Sequence, residues 1–89
     1  MQRRDRLQIL HDVLFAIQLK GPKAKPTHIL YKANLSYKVL QDHLSEMMRQ
    51  ELIIEKVLEE KKTYSLTDKG FKFLQEYQMV REFMNSYGF

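Results

Sequence analysis

The sequence predicts a mainly α domain with one small β-hairpin, in the order helix, helix, helix, strand, strand, helix. Three observations predict it. Apolar residues recur at spacings of three and four near the N-terminus, in the middle and again at the C-terminal end, the period of helices buried along one face. After Glu51 that period breaks: LIIEKVL reads as a strand, and TYSL alternates, with Tyr64 and Leu66 on one face and Thr63 and Ser65 on the other. Helix-stopping and helix-starting residues fall between these segments, notably Lys20-Gly21-Pro22, Asn34, Ser36 and Thr67. At 89 residues the chain has the length of one core. A chain of this size buries only about two-thirds of its unfolded surface, so a partner subunit would add stability.

The first helix is expected from about Arg4 to Leu19. Leu7, Leu10, Leu14 and Ile17 give one buried stripe, widened by Ile9, Val13 and Ala16, with Phe15 off the stripe. Gly21 fits the C-terminal cap and Pro22 prevents continuation. Thr27 is an N-cap residue for a short second helix ending near Ala33, and Asn34 tolerates the left-handed conformation wanted after it. Ser36 caps a third helix that runs to about Gln50, with Leu35 and Leu40 as a hydrophobic staple and Leu40, Leu44 and Met47 facing inward. Val39, His43 and Met48 flank that face. The hairpin turns around Glu59-Glu60-Lys61. Thr67 caps the last helix, expected from Asp68 to about Ser86, with Leu66 and Phe71 as a second staple.

That order is the order of a winged helix-turn-helix. The expected division is a winged helix-turn-helix domain over residues 1–74 and an extension of the C-terminal helix over 75–89, used for dimerisation. No internal repeat or low-complexity tract interrupts it.

Charge is distributed unevenly. Net charge is +4. Between Lys20 and Lys38 stand Lys20, Lys23, Lys25, Lys32, Lys38 and His28 with no acid, and Arg3, Arg4 and Arg6 add a second cluster. Residues 50–89 are close to neutral. The positive field is concentrated around the helix-turn-helix, where it would attract a nucleic-acid backbone. A lysine-rich loop alone reads as a solvated face; its place beside a recognition-type helix is what favours DNA.

Other function classes find little support. The absence of cysteine removes disulfides, thiolate zinc sites and a cysteine nucleophile. His11, His28 and His43 have no metal-ligand spacing. There is no HExxH, no GxSxG and no glycine-rich phosphate loop. We therefore expect no catalytic residues, no metal, no cofactor and no small-molecule substrate. No apolar run approaches the ~20 residues of a membrane span. The amphipathic N-terminus does not read as a signal peptide, so a cytoplasmic, nucleoid-associated location is expected.

The third helix is the candidate recognition helix. Ser36, Tyr37, Lys38, Gln41, Asp42 and Ser45 fall on the face away from Leu40, Leu44 and Met47, near the end of the helix that meets base edges in such proteins. Gln41 suits adenine, and Lys38 suits guanine or a phosphate. Thr27, His28 and Lys32 on the second helix are placed for phosphate, as are Lys61 and Lys62 on the wing, beside Glu59 and Glu60, which oppose that contact. On the last helix Phe73, Tyr77, Val80, Met84 and Tyr87 repeat at four, three, four and three, with Phe83 and Phe89 adding apolar surface. That seam is expected to form a homodimer.

The phrases YKANLSYKVLQDHL, the Leu52-Ile53 pair and YSLTDKGFKFL resemble an archaeal winged helix-turn-helix family that includes small chromatin-associated proteins dimerising through an antiparallel coiled coil. The similarity covers roughly residues 9–74. It implies double-stranded DNA binding by the third helix and wing, with Ser36, Tyr37, Lys38 and Gln41 at recognition positions, and a homodimer through the C-terminal helix. Against that family's pattern, Glu51 stands where a glycine usually ends the third helix, the wing lacks its usual glycine, and the C-terminal helix is shorter than in long coiled-coil members. The expected function is a transcriptional regulator or chromatin protein. The alternative is a winged-helix module that binds protein rather than DNA, favoured by the acidic wing.

Overall fold

The computed structural model describes residues 4–88, so Arg3 of the second basic cluster and Phe89 lie outside the described residues. Its elements are α1 (Arg6–Lys20), α2 (Pro26–Ala33), α3 (Tyr37–Arg49), β1 (Ile53–Leu58), β2 (Lys61–Leu66) and α4 (Asp68–Ser86). This is the winged helix architecture.

Local chemistry sets each boundary. Helix α1 starts at Arg6 rather than Arg4, because Asp5 and Gln8 form a reciprocal capping box, each side chain on the other's backbone N–H at 2.8 Å. It ends at Gly21, whose φ of 83° is ordinary only for glycine, with the Gly21 N–H donating to the Ile17 carbonyl. Helix α2 is not capped by Thr27. Lys25 occupies the cap and Pro26 the first helical position, where its fixed φ suits the helix and its missing N–H costs nothing. Thr27 and His28 therefore lie within the first turn.

Both helices of the helix-turn-helix end in the same way. After α2, Asn34 takes φ 56° and the Leu35 N–H reaches back to the Leu30 carbonyl at 3.0 Å. After α3, Glu51 takes φ 61° and the Leu52 N–H reaches the Met47 carbonyl at 2.9 Å. Each is a Schellman closure with a left-handed residue at its centre. Ser36 caps α3 from its side chain, accepting from the Val39 N–H.

Strands β1 and β2 pair antiparallel from Ile53↔Leu66 to Leu58↔Lys61. The first strand starts one residue later than LIIEKVL implies, because Leu52 belongs to the closure of α3. The turn is Glu59-Glu60 alone, both at positive φ (52° and 66°), and Lys61 already lies in β2. Ala24 adds a single bridge to the sheet, its carbonyl accepting from the Tyr64 N–H at 2.8 Å.

The core gathers Val13, Leu14 and Ile17 from α1, Ile29 and Ala33 from α2, Leu40, Leu44 and Met47 from α3, and Leu52, Ile53, Tyr64 and Leu74 from the rest. Fully burying a side chain of this size contributes about 1.5–3 kcal/mol, so these residues hold the three-helix arrangement. Leu7, expected in the stripe, is 52% exposed: the packed cluster reaches no nearer the N-terminus than Ile9. Phe15 packs on the cluster edge, and Leu66 does so while Phe71 stays partly exposed.

The junction between α3 and α4 is tightly tied. Thr67 Oγ1 donates to the Glu51 carbonyl at 2.6 Å and accepts from the Gly70 N–H, the Thr67 N–H donates to the Leu52 carbonyl, and Lys69 Nζ donates to the Gln50 carbonyl. Three consecutive carbonyls past the end of α3 are thus satisfied by the first turn of α4.

Candidate nucleic-acid interface

Helix α3 has two unlike sides. Leu40, Leu44 and Met47 are fully buried, which fixes the rotation of the helix. That rotation turns Ser36, Tyr37, Lys38, Asp42 and Ser45 to solvent and leaves Gln41 half-buried at the edge of the same face. The spacing of 37, 38, 41, 42 and 45 keeps them on one side of the helix. Among the described residues, Lys38 and Asp42 are in no ion pair.

The approach of α3 is held by a clamp that the sequence reading did not single out. The Arg4 guanidinium donates to the Ala33 carbonyl at 2.5 Å and to the Asn34 carbonyl at 2.9 Å, while its other contact is Asp12 of α1 at 2.8 Å. A cation at the C-terminal end of α2 also suits the helix dipole. Asp12 in turn meets His11 Nδ1 at 3.0 Å, and the His11 ring stacks on Tyr77 of α4 (centroids 4.9 Å apart) and near Phe15. On the opposite side, Arg6 of α1 and Arg49 of α3 both bond the Glu46 carboxylate, and the Arg49 hydrogen bond holds that carboxyl below its ordinary range. Arg4 and Arg6 were visible in the sequence only as a basic cluster. The Asp5-Arg6-Leu7-Gln8 pattern was the signal for where α1 begins.

Thr27, His28 and Lys32 are exposed on α2, whose N-terminus has no side-chain cap and no acid in its first turn. Lys61 and Lys62 are exposed at the start of β2, beside Glu59 and Glu60. Leu58 and Val57 stand exposed next to that turn. Within the wing the Tyr64 hydroxyl donates to the Glu55 carboxylate at 2.8 Å, and burial together with that bond pushes the phenol's pKa up.

The seam on α4 divides. Phe73 packs on the core and Tyr77 stacks on His11 of α1, so these two face the body of the same chain. Beyond them, Val80 (60% exposed), Phe83, Met84 and Tyr87 have no such cover, and Met79, not singled out from the sequence, is exposed as well. Five large apolar groups on the last turns of α4 and its cap exceed what scattered surface apolars explain. His28 and His43 lie apart from His11. Among the described residues no group of three or more His, Asp or Glu side chains is arranged to hold a metal ion, and no helix of these residues is long and apolar enough to cross a membrane.

Known proteins share this architecture. A winged helix-turn-helix family model matches residues 3–85, and the chain belongs to that family. It is 31% identical over 81 residues to the uncharacterized protein MJ0290 of Methanocaldococcus jannaschii, a match covering 88% of this chain but only about a third (34%) of that relative's length. Among solved structures it is similar to Sso10a-2, described as a DNA-binding protein from Sulfolobus solfataricus, at TM-score 0.79 and 26% identity over 96% of this chain and 90% of that one. It also shares its fold with AF1382 from Archaeoglobus fulgidus, at TM-score 0.72 and 22% identity over 88% and 85% of the two chains. The archaeal winged-helix resemblance read from the sequence is upheld by these relatives.

Proposed function

We propose that this protein binds double-stranded DNA as a homodimer, acting as a transcriptional regulator or chromatin protein. The observation that carries the reading is the exposed polar face of α3, held at a fixed rotation by its buried face and flanked by the acid-free segment from Lys20 to Lys38. In this reading α3 enters the major groove. Gln41, Lys38, Ser36 and Tyr37 meet base edges or the sugar-phosphate chain, with Asp42 and Ser45 further along the same face. Thr27, His28 and Lys32 hold a phosphate at the α2 N-terminus, and Lys61 and Lys62 touch the backbone from the wing. The second half of α4 and its cap bring Val80, Phe83, Met84 and Tyr87 against a second copy, with Phe73 and Tyr77 supporting them from beneath. The DNA-binding description of Sso10a-2 supports the first half of this reading. The protein then works beside the chromosome, with no catalytic step.

Titration of a labelled duplex by fluorescence anisotropy at several salt concentrations tests it. Each neutralised phosphate contributes about −0.9 to the slope of log K against log salt. A steep negative slope is expected; absence of binding at low salt sinks the proposal. One observation favours a second reading. Leu58 and Val57 beside Glu59 and Glu60 make an apolar, acidic wing tip suited to a protein partner. Under that reading the duplex titration stays flat.

A further inference from the structure

Helices α1 and α2 each present a triple at the same spacing to one open groove. From α1 come Ala16, Leu19 and Lys20; from α2 come His28, Tyr31 and Lys32. Positions i, i+3 and i+4 lie on one side of a helix, so each triple forms a single wall. The groove has a volume of about 490 Å³. Its floor is the small, buried Ala16, and its sides carry Leu19 and Tyr31, which are 56% and 81% exposed. These two large apolar groups take no part in the core. The remaining lining is Lys20, Lys32 and His28, with no carboxylate among them. None of the three is in an ion pair among the described residues, and the segment that supplies them contains no acid.

An apolar slot with two unneutralised ammonium groups and an imidazole at its rim is complementary to one kind of occupant. We infer that this groove binds a small aromatic carboxylate, its ring between Leu19 and Tyr31 over Ala16 and its carboxylate taken by Lys20 and Lys32. A neutral aromatic would gain the ring contacts alone. A simple inorganic anion would gain only exposed lysines, which screening weakens. The consequence for DNA rests on the function proposed above: Lys32 would serve both the carboxylate and a phosphate, so the two ligands compete and each lowers the other's affinity by the same factor.

The test uses naphthoate and its neutral counterpart naphthalenemethanol, titrated into the full chain and followed by amide NMR shifts without DNA. Shifts should concentrate on residues 16–20 and 28–32. Naphthoate should bind about tenfold more tightly than the alcohol, the effect of one charge-assisted contact. Lys20→Gln should reduce that preference without weakening the alcohol, and Tyr31→Ala should weaken both. Equal binding of the two compounds overturns the inference. So do shifts centred on Val80, Phe83 and Met84, or an unchanged Tyr31→Ala variant. Addition of labelled duplex forms a separate arm. Release of DNA by naphthoate supports the shared-cation link. Binding of both ligands together removes that link while leaving the groove assignment standing, and a protein that takes naphthoate but no duplex overturns the DNA reading alone.

Discussion

The backbone of Gly70 lies directly against the Leu52 carbonyl, so closely that a Cβ built on Gly70 would fall far inside van der Waals contact distance of that oxygen. The same carbonyl accepts from the Thr67 N–H at 3.1 Å. Helix α4 thus begins on the residue that closes α3, and its direction is set by that contact. Gly70→Ala should cost about 1–3 kcal/mol, because backbone and not a flexible side chain must move. Urea denaturation measures it. An unchanged midpoint would mean that the junction yields freely.

Glu51 holds a left-handed backbone at the point where α3 closes. A non-glycine residue there carries a penalty of about 1–2 kcal/mol, partly offset in a glycine variant by the greater freedom of its unfolded chain. Glu51→Gly should therefore raise stability by about 1 kcal/mol, since the closure uses only the Glu51 backbone N–H and carbonyl. Thermal denaturation of the two proteins gives the sign, and a lower midpoint for the variant would contradict this account.

Tyr64 is buried and donates to Glu55, so its folded pKa lies above the ordinary value near 10. A raised pKa leaves stability intact while the unfolded tyrosine stays protonated. Above about pH 10 the unfolded chain releases that proton and the folded chain does not, so stability falls as pH rises. Tyr64→Phe should be less stable at neutral pH and lose this alkaline decline. Denaturation midpoints between neutral pH and pH 11 check it; parallel declines in both proteins would assign the effect to other groups.

Val80 is the middle residue of the α4 seam and stands where its uncovered part begins. Val80→Glu should convert the expected dimer to monomer in sedimentation and weaken duplex binding with it, because the second recognition helix no longer benefits from a high effective concentration. A wild-type monomer at micromolar concentration rules out this interface.

Much of this architecture can be read from the chain because the signals are local. Asn34, Ser36 and Thr67 sit at their caps, and the inward face of α3 follows from Leu40, Leu44 and Met47. Helix α2 starts before the expected Thr27 cap because a proline at the first helical position outweighs a side-chain cap one residue later. What periodicity could not reveal is tertiary. Phe73 and Val80 share one heptad seam, yet the core covers much of the first and leaves the second exposed. Arg4 and Asp12 are eight residues apart, and nothing in their spacing points to the carbonyls of Ala33 and Asn34. Gly70 carries no sign of the carbonyl it must clear. The three left-handed glutamates, Glu51, Glu59 and Glu60, occupy positions where composition alone would place glycine or asparagine.

The most direct test of the central claim is duplex affinity of wild type against Gln41→Ala, measured by anisotropy on a sequence selected from a random pool. If α3 reads bases, the variant should lose about 1–3 kcal/mol on the selected sequence and little on an unrelated duplex. By contrast, the Lys61→Ala, Lys62→Ala double variant should weaken both duplexes alike. Unchanged affinity and unchanged preference in Gln41→Ala would contradict the placement of α3 as the recognition helix.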